Sequence, residues 1–105
     1  MSKARRGEIW LIDLGMVQKT RPALVLSVDY LDHERAVVTY IPRTTHLRQT
    51  RFEVPHRAAG FDPGAFDAQG IGTVPDVKLE QRLGVLDAAL VQQVETALKH
   101  WPALP

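Results

Sequence analysis

Residues 21–28 read RPALVLSV, and this stretch decides the fold class. Pro22 stands at its start, where a strand tolerates a residue without an N–H group, and the residues that follow are apolar on both faces of an extended chain. Such a pattern predicts a strand that is buried on both sides. The rest of the chain is therefore expected to build a sheet around it.

Further short strands are predicted on either side of this central one, to give five or six in all. Their apolar and polar residues alternate or are β-branched, and turn-forming residues bound them. Two of them are expected to end at a proline, Pro42 and Pro55. The segments are GEIWLIDLG (7–15), RAVVTYI (35–41), TRFEVP (50–55), one short strand within the turn-rich residues 65–69, and KLEQRLGVL (78–86).

The last segment, DAALVQQVETALKHW (87–101), has a helical period instead. Asp87 is a suitable N-cap, and Pro102 is expected to stop the helix. The apolar residues that share one face are Leu90, Val91, Val94, Leu98 and Trp101. The predicted fold class is mainly β with a C-terminal helix: a small bent barrel that forms one domain over residues 1–105.

Composition excludes several classes of protein. The chain has 105 residues, 45% hydrophobic and 24% charged, which is typical of a folded domain. It has no cysteine, which excludes a disulfide scaffold. No long apolar run or signal-peptide pattern is present, so we expect a cytoplasmic protein without membrane contact.

The net charge of +1 hides an uneven distribution. Residues 1–51 carry nine Lys and Arg against five acids, whereas the remainder carries four against seven. A basic first half indicates an anionic partner such as a nucleic acid. The stretch PRTTHLRQTR (42–51) concentrates this character, with three arginines, three threonines and a histidine.

Four segments resemble one protein family in their order and approximate spacing: RRGEIW (5–10), RPALVLS (21–27), PRTTH (42–46) and RFEVP (51–55). They are similar to segments of the MazF/PemK/Kid-type toxins, the toxin halves of bacterial toxin–antitoxin pairs. The resemblance implies a small SH3-like barrel, a homodimer, and a sequence-specific, metal-independent endoribonuclease that cleaves single-stranded RNA and needs no cofactor. It also implies a MazE-like antitoxin whose tail occupies the RNA groove.

The resemblance further implies which residues act. The arginine of the RPA element and the threonine of the P-x-T element form the catalytic pair in the family, which corresponds to Arg21 and Thr44. A family pattern of acid, glutamine, aliphatic and basic residues is only partly kept at residues 69–74. Gln69 is the candidate RNA contact there, one position early, and Gly72 stands where a base is often found.

Cleavage of RNA without a metal needs a group that stabilises charge on phosphate and groups that move protons. Arg21 suits the first task, because a guanidinium is planar, permanently charged and able to bind two phosphate oxygens. Thr44 can donate its hydroxyl to phosphate. Thr45 could do the same or cap the turn, and His46 is a candidate for proton transfer or phosphate binding, since an imidazole exchanges protons near neutral pH.

The arginines of the same stretch, Arg43, Arg48 and Arg51, are predicted to bind the RNA backbone. The alternative for them is an ordinary solvated loop with an ion pair to Glu53. His33, His56 and His100 lack the spacing of a metal site, so no metal is predicted.

Two other functions remain open on the sequence. A CcdB-like toxin of the same fold would poison DNA gyrase through the end of its C-terminal helix, where this chain carries Trp101. A noncatalytic SH3-like module that binds nucleic acid would also account for the basic first half. Neither of these alternative functions assigns a role to Arg21 and Thr44.

Overall fold

The computed structural model describes residues 2–17 and 19–102. Seven strands are followed by one helix: β1 (Glu8–Asp13), β2 (Thr20–Val25), β3 (Val37–Thr44), β4 (Glu53–His56), β5 (Gly64–Asp67), β6 (Gly72–Pro75), β7 (Leu79–Val85) and α1 (Ala88–His100). Two short 3-10 turns flank β6, at Ala68–Gly70 and Asp76–Lys78. The predicted fold class, mainly β with a C-terminal helix, is confirmed, with β6 as a strand that the sequence did not predict.

The strands form one antiparallel sheet in the order β4-β5-β3-β2-β1-β7, with β6 paired to β3. β3 lies at its centre, because residues 37–40 pair with β6, residues 40–42 pair with β2, and its last two residues pair with β5. Within the described ranges, β4 and β7 do not pair with each other, so the ladder does not close into a complete barrel. The predicted homodimer remains a prediction.

Pro42 and Pro55 lie inside strands, and the prediction that they end them is wrong. β3 continues through Pro42, which lies opposite Ala23, and β4 continues through Pro55, which lies opposite Ala65. On its other side, β3 pairs with β6 up to Tyr40 and with β5 from Arg43 onward. Pro42 therefore falls in a gap of the ladder, where its missing N–H is not needed, and Pro55 lies on an end strand of the sheet.

The sheet separates two hydrophobic clusters, and residues 23–26 of the predicted central strand are buried between them, whereas Val28 at the end of the predicted stretch is exposed. Leu24 belongs to the cluster that α1 covers, whereas its neighbours Ala23 and Val25 belong to the other. Alternate residues of a strand point to opposite faces, so β2 contributes to both layers. The fully buried members include Ile9, Leu24, Ile41, Phe66 and Val94 on the helix side and Ile12, Val25, Val38 and Leu79 on the other.

The helix α1 forms as predicted and packs against the chain's own sheet. The Asp87 carboxylate accepts a hydrogen bond from the Ala89 N–H at 2.7 Å, so the predicted N-cap is present. Val94 and Ala97 are buried, and the Trp101 ring meets Phe52 edge to face at 5.4 Å. No helix among the described residues is long and apolar enough to span a membrane.

Candidate active site

The register of two central strands brings the predicted catalytic pair together. β2 and β3 are antiparallel, with Ala23 opposite Pro42 and Leu24 opposite Ile41. The same register carried two residues further places Arg21 opposite Thr44. Both residues line one groove of about 360 Å³, together with Pro42, Arg43, His46, Arg48 and Asp67. Residues from two separate segments of the sequence, RPALVLS (21–27) and PRTTH (42–46), thus line one groove.

The hydroxyl of Thr44 is oriented by the backbone that follows it. Thr44 Oγ1 accepts a hydrogen bond from the His46 N–H at 3.0 Å and lies 3.4 Å from the His46 carbonyl oxygen, to which it donates. The second contact is long and therefore weak. The threonine oxygen is held in place while its proton remains available to a closer acceptor in the groove.

Arg21 and Arg48 are exposed cations of the groove, one on a strand and one on a loop. Arg21 lies at the start of β2, opposite Ile12 of β1. Arg48 follows β3, and its backbone N–H donates to the Glu53 carboxylate at 3.0 Å, as does the Gln49 N–H at 2.7 Å. Glu53 thereby fixes the main chain that carries Arg48. A groove with exposed guanidinium groups is suited to phosphate.

Arg43 is the exception among the predicted phosphate ligands. Its side chain is buried, with the residue 5% exposed. Its Nε donates to His56 Nδ1 at 2.9 Å, and its Nη2 donates to the carbonyl oxygens of His56 at 2.9 Å and Asp62 at 2.6 Å. The guanidinium also lies 5.0 Å from the centre of the Phe61 ring. The predicted RNA contact of Arg43 remains a prediction, and these internal bonds argue against it.

The charge of Arg43 fixes the state of its neighbour. Burial, and then the nearby Arg43 charge, lower the pKa of His56. Burial also lowers the pKa of Arg43, while the Asp62 carboxylate acts in the opposite direction. Since His56 Nδ1 accepts a hydrogen bond from a donor that is always protonated, the imidazole is neutral and carries its proton on Nε2.

Three other candidates lie outside the groove. Thr45 and Gln69 are exposed and do not line it. The guanidinium of Arg51 stacks on the Phe52 ring at 4.7 Å and borders a separate groove of about 590 Å³ between β4 and α1. Their predicted contacts with RNA or phosphate remain predictions.

Asp67 lines the groove and was missed in the sequence. It ends β5, and its Oδ1 accepts a hydrogen bond from the Gln69 N–H at 3.1 Å. The sequence signal that could have identified it is its place two residues before Gln69, which is close to the acid and glutamine of the family pattern. Its position in the groove depends on the pairing of β5 with β3, in which Ala65 lies opposite Thr44 and Phe66 opposite Arg43.

Across residues 2–17 and 19–102, no three His, Cys, Asp or Glu side chains come together as metal ligands. The predicted absence of a metal and of a cofactor remains a prediction.

Known structures with the same fold are found among bacterial toxins and ribonucleases. The Mycobacterium tuberculosis toxin MazF-mt6 is 27% identical, with a TM-score of 0.81, over 93% of this chain and 98% of that one. An endoribonuclease from mycobacterial species is 26% identical, with a TM-score of 0.82, over 100% and 96% of the two chains. A mycobacterial endoribonuclease in complex with its cognate antitoxin is 26% identical, with a TM-score of 0.83, over 97% of each chain.

A family model agrees with these structures over almost the whole sequence. The model describes PemK-like, MazF-like toxins of type II toxin–antitoxin systems and matches residues 5–101. This span contains every strand, the helix and all residues of the groove. The chain therefore belongs to the PemK-like, MazF-like toxin family of type II toxin–antitoxin systems.

Proposed function

We propose that this protein is an endoribonuclease toxin that cleaves single-stranded RNA at specific sequences, without a metal ion. The convergence of Arg21 and Thr44 in one groove carries the proposal. Family membership and the endoribonucleases among its structural relatives support it.

The proposed reaction is an attack of a ribose 2′-OH on the adjacent phosphorus. The 2′-oxygen forms a bond to phosphorus while its proton passes to a base, and the bond to the 5′-oxygen breaks as that oxygen gains a proton. The products are a 2′,3′-cyclic phosphate and a 5′-OH. The protein must orient the 2′-OH in line with the leaving oxygen and stabilise charge on the nonbridging oxygens.

In this scheme Arg21 and Thr44 act on the phosphate. Arg21 binds the nonbridging oxygens, where negative charge develops, and Thr44 donates its hydroxyl to one of them and orients the scissile group. His46 lines the same groove and is the candidate for proton transfer, since an imidazole exchanges protons near neutral pH. Arg48 holds a neighbouring backbone phosphate.

We further propose that the toxin acts as a cytoplasmic homodimer, one domain per chain, and that a MazE-like antitoxin inhibits it by occupying the groove. A complex of a mycobacterial endoribonuclease with its cognate antitoxin supports the partner. The gyrase-poisoning alternative is not favoured, because its site would be the end of α1, where Trp101 packs on Phe52.

The test is cleavage of a long single-stranded RNA in EDTA by the wild type, Arg21→Ala and Thr44→Ala. We expect cleavage by the wild type with cyclic phosphate ends, and a rate lower by about 10²- to 10³-fold in each variant, the scale for loss of one preorganised donor. Thr96→Ala is the matched control, because Thr96 is exposed on α1 and does not line the groove, and it should retain the wild-type rate. Intact RNA with the wild type, together with inhibition of gyrase supercoiling, would replace the proposal with the gyrase alternative.

A further inference from the structure

We propose that Arg43 and His56 are positioning residues that hold the Thr44 hydroxyl in place from inside the fold, and that neither contacts RNA. This inference rests on the proposed function of the groove. It changes the role of Arg43 from a phosphate ligand to an internal support of the neighbouring residue.

Arg43 and Thr44 both border the groove, but the alternation of β3 places their side chains on opposite faces of the sheet. Thr44 is half-buried with its hydroxyl bonded to the backbone at His46, whereas Arg43 is buried. β3 ends at Thr44, and only its last two residues pair with β5. Beyond the gap at Pro42, the strand end therefore depends on a short ladder and on the side chain of Arg43.

Arg43 joins this strand end to two other segments of the chain. It donates to the imidazole and the carbonyl oxygen of His56, at the end of β4, and to the carbonyl oxygen of Asp62, just before β5. Three acceptors on two segments fix the direction of the planar guanidinium. A side chain without these donors leaves buried acceptors unpaired, which favours movement of the strand end.

Gly64 lies against both Arg43 and Thr44. A Cβ on Gly64 would lie 2.7 Å from Arg43 Nη1 and 2.6 Å from the Thr44 carbonyl oxygen. The guanidinium and the Thr44 backbone thus both pack directly on the glycine backbone. Because the contact includes Thr44 itself, a shift of Arg43 is transmitted to the residue that carries the hydroxyl.

The two roles of Arg43 predict different kinetics. A phosphate ligand contributes to affinity and to its salt dependence, whereas a positioning residue contributes to the rate of the chemical step. A displacement of a catalytic group by about 1 Å costs on the order of 10²-fold in rate.

The first experiment compares Arg43→Met with the wild type in two measurements. One is the single-turnover cleavage rate at saturating enzyme, and the other is the Kd for the same oligonucleotide with 2′-deoxyribose at the cleavage site. We expect a rate lower by about 10- to 100-fold and a Kd within about twofold of the wild type. An unchanged rate with a weaker Kd, and a salt slope smaller by about 0.7, would overturn the proposal in favour of a phosphate contact.

A pair of substitutions at His56 keeps the proposal testable if Arg43→Met does not fold. In His56→Asn the amide oxygen can replace Nδ1 as the acceptor of the Arg43 hydrogen bond, whereas His56→Leu has no side-chain acceptor. We expect His56→Asn to retain the cleavage rate to within about threefold and His56→Leu to lose about as much as Arg43→Met. Equal rates in the two His56 variants would contradict the role of this hydrogen bond.

Arg57→Met is the matched control, since Arg57 follows His56 but is exposed and lies outside the groove lining. It should leave both measurements unchanged. Hydrogen exchange of the His46 amide gives a readout that does not need cleavage, because this N–H donates to Thr44 Oγ1. It should exchange faster in His56→Leu than in His56→Asn. If the wild type cleaves no RNA, the proposed function fails, while unchanged exchange would contradict the positioning itself.

Discussion

At the scale of single residues, the groove combines side chains with opposite surroundings. Arg48 is an exposed cation on a fixed loop, whereas Arg43, on the adjacent strand, donates to three internal acceptors. Thr44 is half-buried, and its Oγ1 accepts a hydrogen bond from the His46 N–H. The division suggests that affinity for phosphate and the geometry of the hydroxyl can be changed separately.

The pH dependence of stability should carry the signature of His56. The folded protein keeps this imidazole neutral, since burial and Arg43 lower its pKa, while the unfolded chain protonates it at about pH 6.5. The unfolded state therefore binds the proton first as the pH falls. We therefore expect His56 to leave the free energy of unfolding unchanged above about pH 6.5 and to lower it progressively as the pH falls below that value.

Urea unfolding of the wild type and His56→Asn at pH 7.5 and pH 5 measures this contribution. The wild type should lose more stability than His56→Asn between the two pH values, because an asparagine does not titrate. The other histidines and the carboxylates are common to both proteins and cancel in the difference. Equal losses would contradict the assignment.

Arg48→Gln should weaken RNA binding through charge alone. The Arg48 side chain lines the groove, while its backbone N–H keeps the bond to Glu53 in the variant. We expect the slope of log K against log salt to fall by about 0.7, the value for one phosphate contact on a single strand. Titration of a non-cleavable oligonucleotide at several salt concentrations gives the slope. Arg57→Gln should not change it, and an unchanged slope in Arg48→Gln would place its side chain away from phosphate.

At the scale of elements, β3 is interrupted without being ended. Pro42 occupies the gap between the β6 and β5 pairings, and a Cβ on Gly70 would lie 2.6 Å from Pro42 Cγ. The turn Ala68–Gly70 thus packs closely against Pro42. It lies between β5 and β6, the two strands that pair with β3 on either side of this proline. This arrangement lets one continuous strand contribute to both the core and the candidate active site.

Gly64→Ala should damage the site more than its small size suggests. The added Cβ would approach the Thr44 carbonyl oxygen and Arg43 Nη1 to well below normal contact distance. We expect a loss of about 1–3 kcal/mol in the free energy of unfolding, typical of overpacking, and slower cleavage. Denaturant unfolding and single-turnover rates measure the two effects.

Gly84→Ala is the control for that substitution, because nothing lies within 4 Å of a Cβ built on Gly84 of β7. It should be within about 0.5 kcal/mol of the wild type. Equal effects of the two substitutions would show that the contact at Gly64 relaxes without cost.

The elements differ in how far the sequence could predict them. The helix was predicted with its N-cap and its apolar face because these signals are local. The passage of β3 through Pro42 was not, since whether a proline is tolerated depends on partners that lie far along the chain. The same distant pairing decides that Arg43 turns inward and that Asp67 reaches the groove. The prediction of Arg21 and Thr44 as the catalytic pair rests on the resemblance to a family and stays a prediction.

At the scale of the whole molecule, several large apolar side chains are exposed to solvent. Met16 and Val17, in the connection between β1 and β2, are each 96% exposed. Others lie at different parts of the surface: Val28, Leu31, Leu47, Ile71, Val77, Val85 and Trp101. A second copy of the chain could bury some of this surface, which agrees with the proposed homodimer.

We expect the protein to sediment as a dimer of its 11.8 kDa chain at micromolar concentration. Exposed apolar surface is the physical reason, since its burial between copies is favourable. Sedimentation equilibrium over a range of concentrations measures the mass, with and without an equimolar MazE-like antitoxin. A mass of one chain throughout would rule out the proposed homodimer.

The bonds between Glu53 and the loop after β3 also affect the speed of recognition. The Glu53 carboxylate accepts hydrogen bonds from two backbone N–H groups of this loop, which support its conformation before the proposed RNA substrate binds. A surface that is already ordered loses little conformational entropy when it binds, so encounter with RNA is not slowed by a folding step. The proposed antitoxin would meet the same ordered loop, so we expect its competition with RNA for the groove to depend mainly on how long each partner remains bound.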